Sequence, residues 1–109
     1  NMQNLELLKE AIVNDYAQFL NASAFAEDRA PELLQGFAEN IEFSEGRKYI
    51  KVLTKKSVWG FIVKGEDKQF NVGDILMAAG YNSPARNKAR GNVLDLDFSR
   101  VQWTGPAYL

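Results

Sequence analysis

Three cationic side chains recur at every second position of the stretch SPARNKARGN, residues 83–92: Arg86, Lys88 and Arg90. On an extended strand alternate residues share one face, so this spacing predicts a positive stripe. Guanidinium groups grip phosphate in a two-pronged fork and stack on bases, whereas an ammonium neutralises phosphate as a point charge. Tyr81 and Tyr108 would add a stacking surface where the fold brings them near. The competing reading is structural: the same bases pair with Asp95, Asp97 or the acids of the N-terminal region, or serve a contact between subunits. Glu66, Asp67 and Asp74 form a second polar group. Each lies in turn-like sequence, where Asp commonly bonds backbone, and their spacing fits no calcium loop, so no metal site is expected. The glycines at 65, 73, 80 and 91 make neither a G-x-G-x-x-G nor a P-loop pattern. No nucleotide cradle and no cofactor are therefore expected.

The chain contains no Cys and no His. That removes thiol nucleophiles, disulfides, imidazole bases and ordinary zinc sites. With the commonest general base missing, the chain reads as non-enzymatic. Its net charge of −1 conceals a split. Residues 1–46 carry two bases against nine acids, and residues 47–109 carry eleven bases against five acids. Such asymmetry suggests an acidic helper region on a basic working part, and it would let the two halves attract each other within or between subunits.

The elements that must position these residues follow from periodicity. Leu5, Leu8, Ile12, Tyr16 and Phe19 recur at three and four residues and predict an amphipathic helix over 3–20. Pro31 suits the first turn of a second helix, with Leu33, Leu34, Phe37 and Ile41 as its apolar face. Near Ile41 the period changes. Residues 49–53 and 58–63 are rich in β-branched and aromatic types and read as strands, with Thr54–Ser57 as a polar turn. Strict alternation puts Trp59, Phe61 and Val63 on one face and Val58 and Ile62 on the other. Trp59, Phe61 and Trp103 read as core. Residues 75–79, 89–94 and 100–104 are the remaining strands, with 80–84 as a loop and the glycines at 60, 73 and 91 as bends. The expected fold is mainly β with N-terminal helices: one domain over 1–109, with a helical part over 1–41 and five short antiparallel strands, strongly curved, over 42–109.

Two pieces of the β region resemble a known family. Gly65-Glu-Asp67-Lys-Gln-Phe70-Asn71 is similar to the first signature of Sm-like proteins, and Arg90-Gly91-Asn92-Val93 to the R-G of the second. The resemblance implies a five-stranded Sm-like or SH3-like barrel that assembles into a homo-oligomeric ring and binds single-stranded RNA. Carried over by position, Asn71 and Arg90 would contact a base and Gln69 would lie at the stacking position, where its polar side chain would stack weakly. Together with Arg86 and Lys88 they form the candidate nucleic-acid site. A broader resemblance, through GRKYIKV, FIVK, VGDIL, SPARNKARGNVLD and RVQWTG, is to small proteins of tailed phages and marine phage metagenomes to which no biochemical role is attached.

Two functions of different class are thus expected. One is a ring-forming binder of single-stranded RNA or DNA. The other is a phage structural or protein-interaction module, with other phage proteins as partners and no nucleic-acid role. No run of about 18 apolar residues is present, and the start lacks a charged stretch leading into an apolar one. No membrane span or signal peptide is therefore expected, and the implied location is the host cytoplasm or the virion. Met2 reads as the natural start, with Asn1 before it.

Overall fold

Two helices lead the chain, α1 (Met2–Asn21) and α2 (Ala30–Glu39). Strands β1 (Ile41–Glu45), β2 (Tyr49–Thr54), β3 (Ser57–Val63) and β4 (Ile75–Leu76) follow as an antiparallel sheet in that order. Two small antiparallel pairs complete the fold: β5 (Ala78–Gly80) with β6 (Ser83–Pro84), and β7 (Val101–Gln102) with β8 (Gly105–Pro106). The computed structural model describes residues 2–23, 28–55 and 57–107. Lys56 of the expected turn and Tyr108 lie outside the described residues. The order of two helices and then antiparallel strands is as expected. The expected five-stranded barrel is not: among the described residues no closed barrel forms, and the strands divide among three sheets.

Packing holds α1 in place. Leu5, Leu8 and Ile12 are buried against Ile41, Val52, Trp59, Ile62, Ile75 and Val93. Burying one such aliphatic side chain contributes about 1.5–3 kcal/mol, well above the roughly 0.7 kcal/mol that separates ordinary helix propensities. Two long-range bonds fix the helix along its length. Asn4 Nδ2 donates to the Val93 carbonyl at 2.7 Å, and the Trp103 N–H donates to Asp15 Oδ2 at 2.8 Å. The stripe ends differently from the periodic reading, because Leu20 is buried while Phe19 lies exposed against the Tyr16 and Trp103 rings. In α2, Pro31 sits in the first turn and Phe37 leans on the core. Ile41 does not extend this face. Asn40 caps the helix, its Nδ2 bonding the Gly36 carbonyl at 2.7 Å, and Ile41 opens β1.

Strand β3 is the centre of the sheet and departs from simple alternation. Residues 49–52 of β2 pair with 63–60 in register, but Leu53 faces Val58, so Trp59 is an extra residue on β3. A bulge of this kind reverses which face the following side chains meet. Trp59 therefore joins Ile62 on the helix side, while Val58 packs with Phe61 and Val63 on the other, where Phe70 and Leu76 complete a second cluster. The alternation expected for this strand is corrected accordingly. Glycine is required beside the bulge: a Cβ on Gly60 would lie 2.8 Å from the Leu76 carbonyl oxygen and 3.2 Å from the Pro106 ring.

The strand expected over 75–79 breaks at Met77 into β4 and β5. The segment expected as a strand over 89–94 is irregular, yet it borders β4. Arg90 N–H bonds the Ile75 carbonyl, Ile75 N–H the Gly91 carbonyl, and Val93 N–H the Gly73 carbonyl. Gly91, at φ 142°, kinks it there against the Asp97 carbonyl. Residues 80–84, expected as a loop, form the turn and return strand of the β5–β6 pair, and 100–104 keeps only two strand residues before the β7–β8 turn.

Gly60→Ala is expected to lower stability by about 1–3 kcal/mol, the range for overfilling a packed site, because the new methyl meets backbone that cannot swing away. Chemical denaturation monitored by tryptophan fluorescence would show it. An unchanged midpoint would mean that β3 does not need the close approach.

Candidate nucleic-acid interface

The loop between β3 and β4 is organised around Asp67. Its Oδ1 accepts the backbone N–H of Gln69 at 2.8 Å and of Phe70 at 3.2 Å, a short local turn that Asp favours. Phe70 is thereby tucked under the loop against Phe61, Val63 and Leu76. The same oxygen takes the Arg86 guanidinium at 2.8 Å. A second nitrogen of Arg86 donates to the Tyr49 hydroxyl, and the guanidinium lies 5.1 Å from the Phe70 ring centre. Gln69 Nε2 completes the link by donating to the Arg86 carbonyl at 2.7 Å. The Arg86 bond, helped by the Gln69 N–H, holds the Asp67 carboxyl well below the usual carboxylate range, and the same bond raises Arg86 above its ordinary value.

The five candidate residues do not form one face. Residues 85–90 are not an extended strand, so the expected stripe of Arg86, Lys88 and Arg90 does not arise. Gln69, Asn71, Arg86 and Lys88 are exposed. Arg90 is 3% exposed. Its guanidinium donates to Asn87 Oδ1 at 2.8 Å, to the Lys88 carbonyl at 2.6 Å and to the Ala107 carbonyl at 3.3 Å. It therefore braces the loop that carries Lys88 rather than offering a plane to a base. Asn71 donates its backbone N–H to Asp74 Oδ2 at 2.9 Å, leaving its amide side chain at the surface.

The acids named as structural partners behave differently. Asp95 and Asp97 make no ion pair with this segment among the described residues. Asp97 accepts the Ser99 hydroxyl and N–H, which lower its pKa. Glu66 is exposed. Asp74 is buried and bonds Asn92 Nδ2 at 2.9 Å, and Asn92 uses its full capacity, donating also to the Val72 carbonyl and accepting the Leu94 and Asp95 N–H groups. The pair ties the turn before β4 to the 92–95 turn.

Apart from Tyr81, named above as a stacking surface, one group of residues was not singled out from the sequence as a site. A cleft of about 260 Å³ lies beside Tyr49, with Arg47, Lys48 and Lys51 around it and Asn82 from the β5–β6 turn. Lys51 Nζ bonds Asn82 Oδ1 at 2.5 Å and sits 4.0 Å from the centre of the Tyr81 ring, which is 60% exposed. The run Arg47-Lys48-Tyr49-Ile50-Lys51 carried the signal, three bases within five residues around a tyrosine. Periodicity marked it only as a strand.

No family model, curated protein or solved structure matches the chain. Among the described residues no helix is long and apolar enough to cross a membrane.

The folded pKa of Asp67 lies below its unfolded value, so the stability it contributes is complete above the ordinary carboxylate pKa of about 3.9 and is lost as pH falls below that. Asp67→Asn is expected to be less stable than wild type near neutral pH and to lose less stability on acidification to about pH 3, read as urea midpoints. Equal acid losses in the two proteins would remove the Arg86–Asp67 pair as a source of acid sensitivity. Arg90→Ala should unfold about 1.5–3 kcal/mol more easily, the cost of losing hydrogen bonds from a charged group. Thermal and urea unfolding would test this, and full stability in that variant would overturn the bracing role.

Proposed function

We propose that this chain is a non-enzymatic module that holds single-stranded RNA or DNA on the surface formed by Gln69, Asn71, Arg86 and Lys88, with Arg90 bracing the loop beneath. The observation that carries the reading is the bond from Gln69 to the Arg86 carbonyl, which sets an amide-bearing loop and a cationic loop side by side at the surface. Amides present a donor and an acceptor to a base edge, and the exposed part of Arg86 and the ammonium of Lys88 suit phosphate. Nine of the fourteen acids lie in residues 1–46, so the slight negative net charge leaves a positive local field available here.

In this reading the three sheets are the parts of a small Sm-like or SH3-like barrel, and assembly completes it. β1 is the outermost strand of its sheet and has no neighbour on its far side among the described residues. A second copy adding a strand there would satisfy that edge and build a homo-oligomer, cyclic if every copy does the same. The resemblance to phage proteins would suit such an assembly to the host cytoplasm or the virion. Light scattering at micromolar concentration is expected to give a mass above that of one chain, and a monomer unaffected by salt would overturn the assembly.

A second reading is favoured by one observation. Val72, Leu94 and Leu96 are 43%, 48% and 54% exposed around the turns that Asp74 and Asn92 tie together. Aliphatic exposure of this kind suits a structural or interaction module whose partner is another phage protein.

Fluorescence anisotropy with labelled oligo-U and oligo-A separates the two. Binding is expected at low salt, weakening as salt rises. Lys88→Ala should flatten the salt dependence by about one unit of the logarithmic slope, as for one lost phosphate contact. Wild-type protein that shifts neither oligomer at low salt would overturn nucleic-acid binding and leave the interaction module.

A further inference from the structure

The geometry points to a second station for the same strand: the cleft beside Tyr49, where Arg47 and Lys48 would hold a phosphate, and the Tyr81 ring next to it across Lys51, which would stack a base. This rests on the single-strand reading above and extends it to residues outside the Sm-like signatures.

Charge comes first. Arg47, Lys48 and Lys51 gather around one cleft, and like charges brought together repel unless an anion or acid separates them. The nearest acid in sequence, Glu45, is taken by Lys64 at 3.3 Å. Lys64 also donates to the Gly46 carbonyl at 3.1 Å, so that pair serves the turn of the β1–β2 hairpin. Among the described residues Arg47, Lys48 and Lys51 enter no ion pair. The cleft is therefore a place of uncompensated positive charge beside the β1–β2 hairpin turn, with volume enough for part of a nucleotide.

Tyr81 gives that charge a direction. Its ring is 60% exposed at the tip of the β5–β6 hairpin, an unusual setting for an aromatic side chain with no core role. Lys51 steadies it by placing an ammonium 4.0 Å from the ring centre, and Asn82 holds that ammonium at 2.5 Å. An aromatic ring fixed in this way offers its free surface to any base, because every base has a π-face.

Tyr49 joins the two stations. It lines the cleft, and its hydroxyl accepts from Arg86, the central cation of the first surface. A strand leaving Lys88 and Arg86 meets Tyr49 and then the cleft, with phosphates over the cations and a base on Tyr81. Arg47, Lys48 and Tyr81 are exposed and sit at hairpin ends, so replacing them removes binding chemistry and leaves the core intact.

The test compares oligo-U binding by anisotropy at low salt for wild type, Arg47→Ala/Lys48→Ala, Tyr81→Ala and Tyr81→Phe, with thermal unfolding of each. The double variant is expected to bind more weakly and to lose about two units of the salt slope, one for each phosphate contact. Tyr81→Ala is expected to weaken binding about fivefold to a hundredfold, and Tyr81→Phe to keep it, since the ring supplies the contact. Wild-type affinity in the double variant and in Tyr81→Ala, alongside loss in Lys88→Ala, would overturn the second station and leave the first. Loss in Tyr81→Phe equal to that in Tyr81→Ala would overturn stacking. Uridine monophosphate competing as well as oligo-U would make the cleft a mononucleotide pocket and overturn the continuous path. No binding by wild type would overturn both stations together.

Discussion

The bulge at Trp59 is the constraint on which the rest of this structure depends. β3 is buried on both faces, so each of its side chains must find an apolar partner above or below the sheet. One extra residue sends Trp59 and Ile62 to the helix side and Val58, Phe61 and Val63 to the other. The helix side can then be closed by the Leu5, Leu8 and Ile12 stripe, and Trp59 Nε1 finds the Gln102 carbonyl at 2.7 Å, which ties β7 to the core. The other side needs a cover of its own. Phe70 supplies it, and because Phe70 belongs to the loop organised by Asp67, the candidate interface is built on the back of the core.

Polar groups finish what packing begins. The 64–74 and 85–97 loops contain little regular structure, yet their buried polar side chains are satisfied. Asn92 spends all four hydrogen-bonding positions, and Arg90 reaches two carbonyls and an amide oxygen. Leaving a buried donor unpaired costs about 1–3 kcal/mol, so these bonds specify the loop path more than they add net stability. Gly91 fits the same logic. Its φ of 142° and the nearness of the Asp97 carbonyl leave no room for a side chain between Arg90 and Asn92.

Much of the scaffold was legible in the sequence. The Leu5–Ile12 spacing, Pro31, and the β-branched runs around Val52 and Ile62 each carry a local signal that the tertiary structure obeys. Three features were not. The Trp59 bulge depends on which backbone approaches Gly60, and that comes from Leu76 and Pro106, far along the chain. β1 is short and only Ile41 and Phe43 mark its inner face, too few to show a period. The period-two bases at 86, 88 and 90 looked like a strand face because their spacing alone does not show which of them the loop buries. Hydrogen bonding to Asn87, Lys88 and Ala107 draws Arg90 inward, and the ion pair with Asp67 holds Arg86 near the surface. Residues of the candidate site were named without the geometry that separates a brace from a contact.

That separation decides what kind of binding such a surface can support. Arg86 already has a carboxylate, a hydroxyl and an aromatic ring around it, so a phosphate approaching it competes with Asp67 and gains less than it would at a free cation. Lys88, Arg47 and Lys48 are exposed, where water screens a charge pair at 4 Å to about 1 kcal/mol. No single contact of that size holds a ligand. In the proposed binding, affinity would accumulate over several phosphates and over a stacking surface such as Tyr81, which would favour an extended, flexible polyanion over a compact one. The exposed cations of the β1–β2 turn and of the 85–90 loop, with the amides of Gln69 and Asn71 at the surface and Tyr81 at the β5–β6 turn, would suit that requirement better than a deep pocket would.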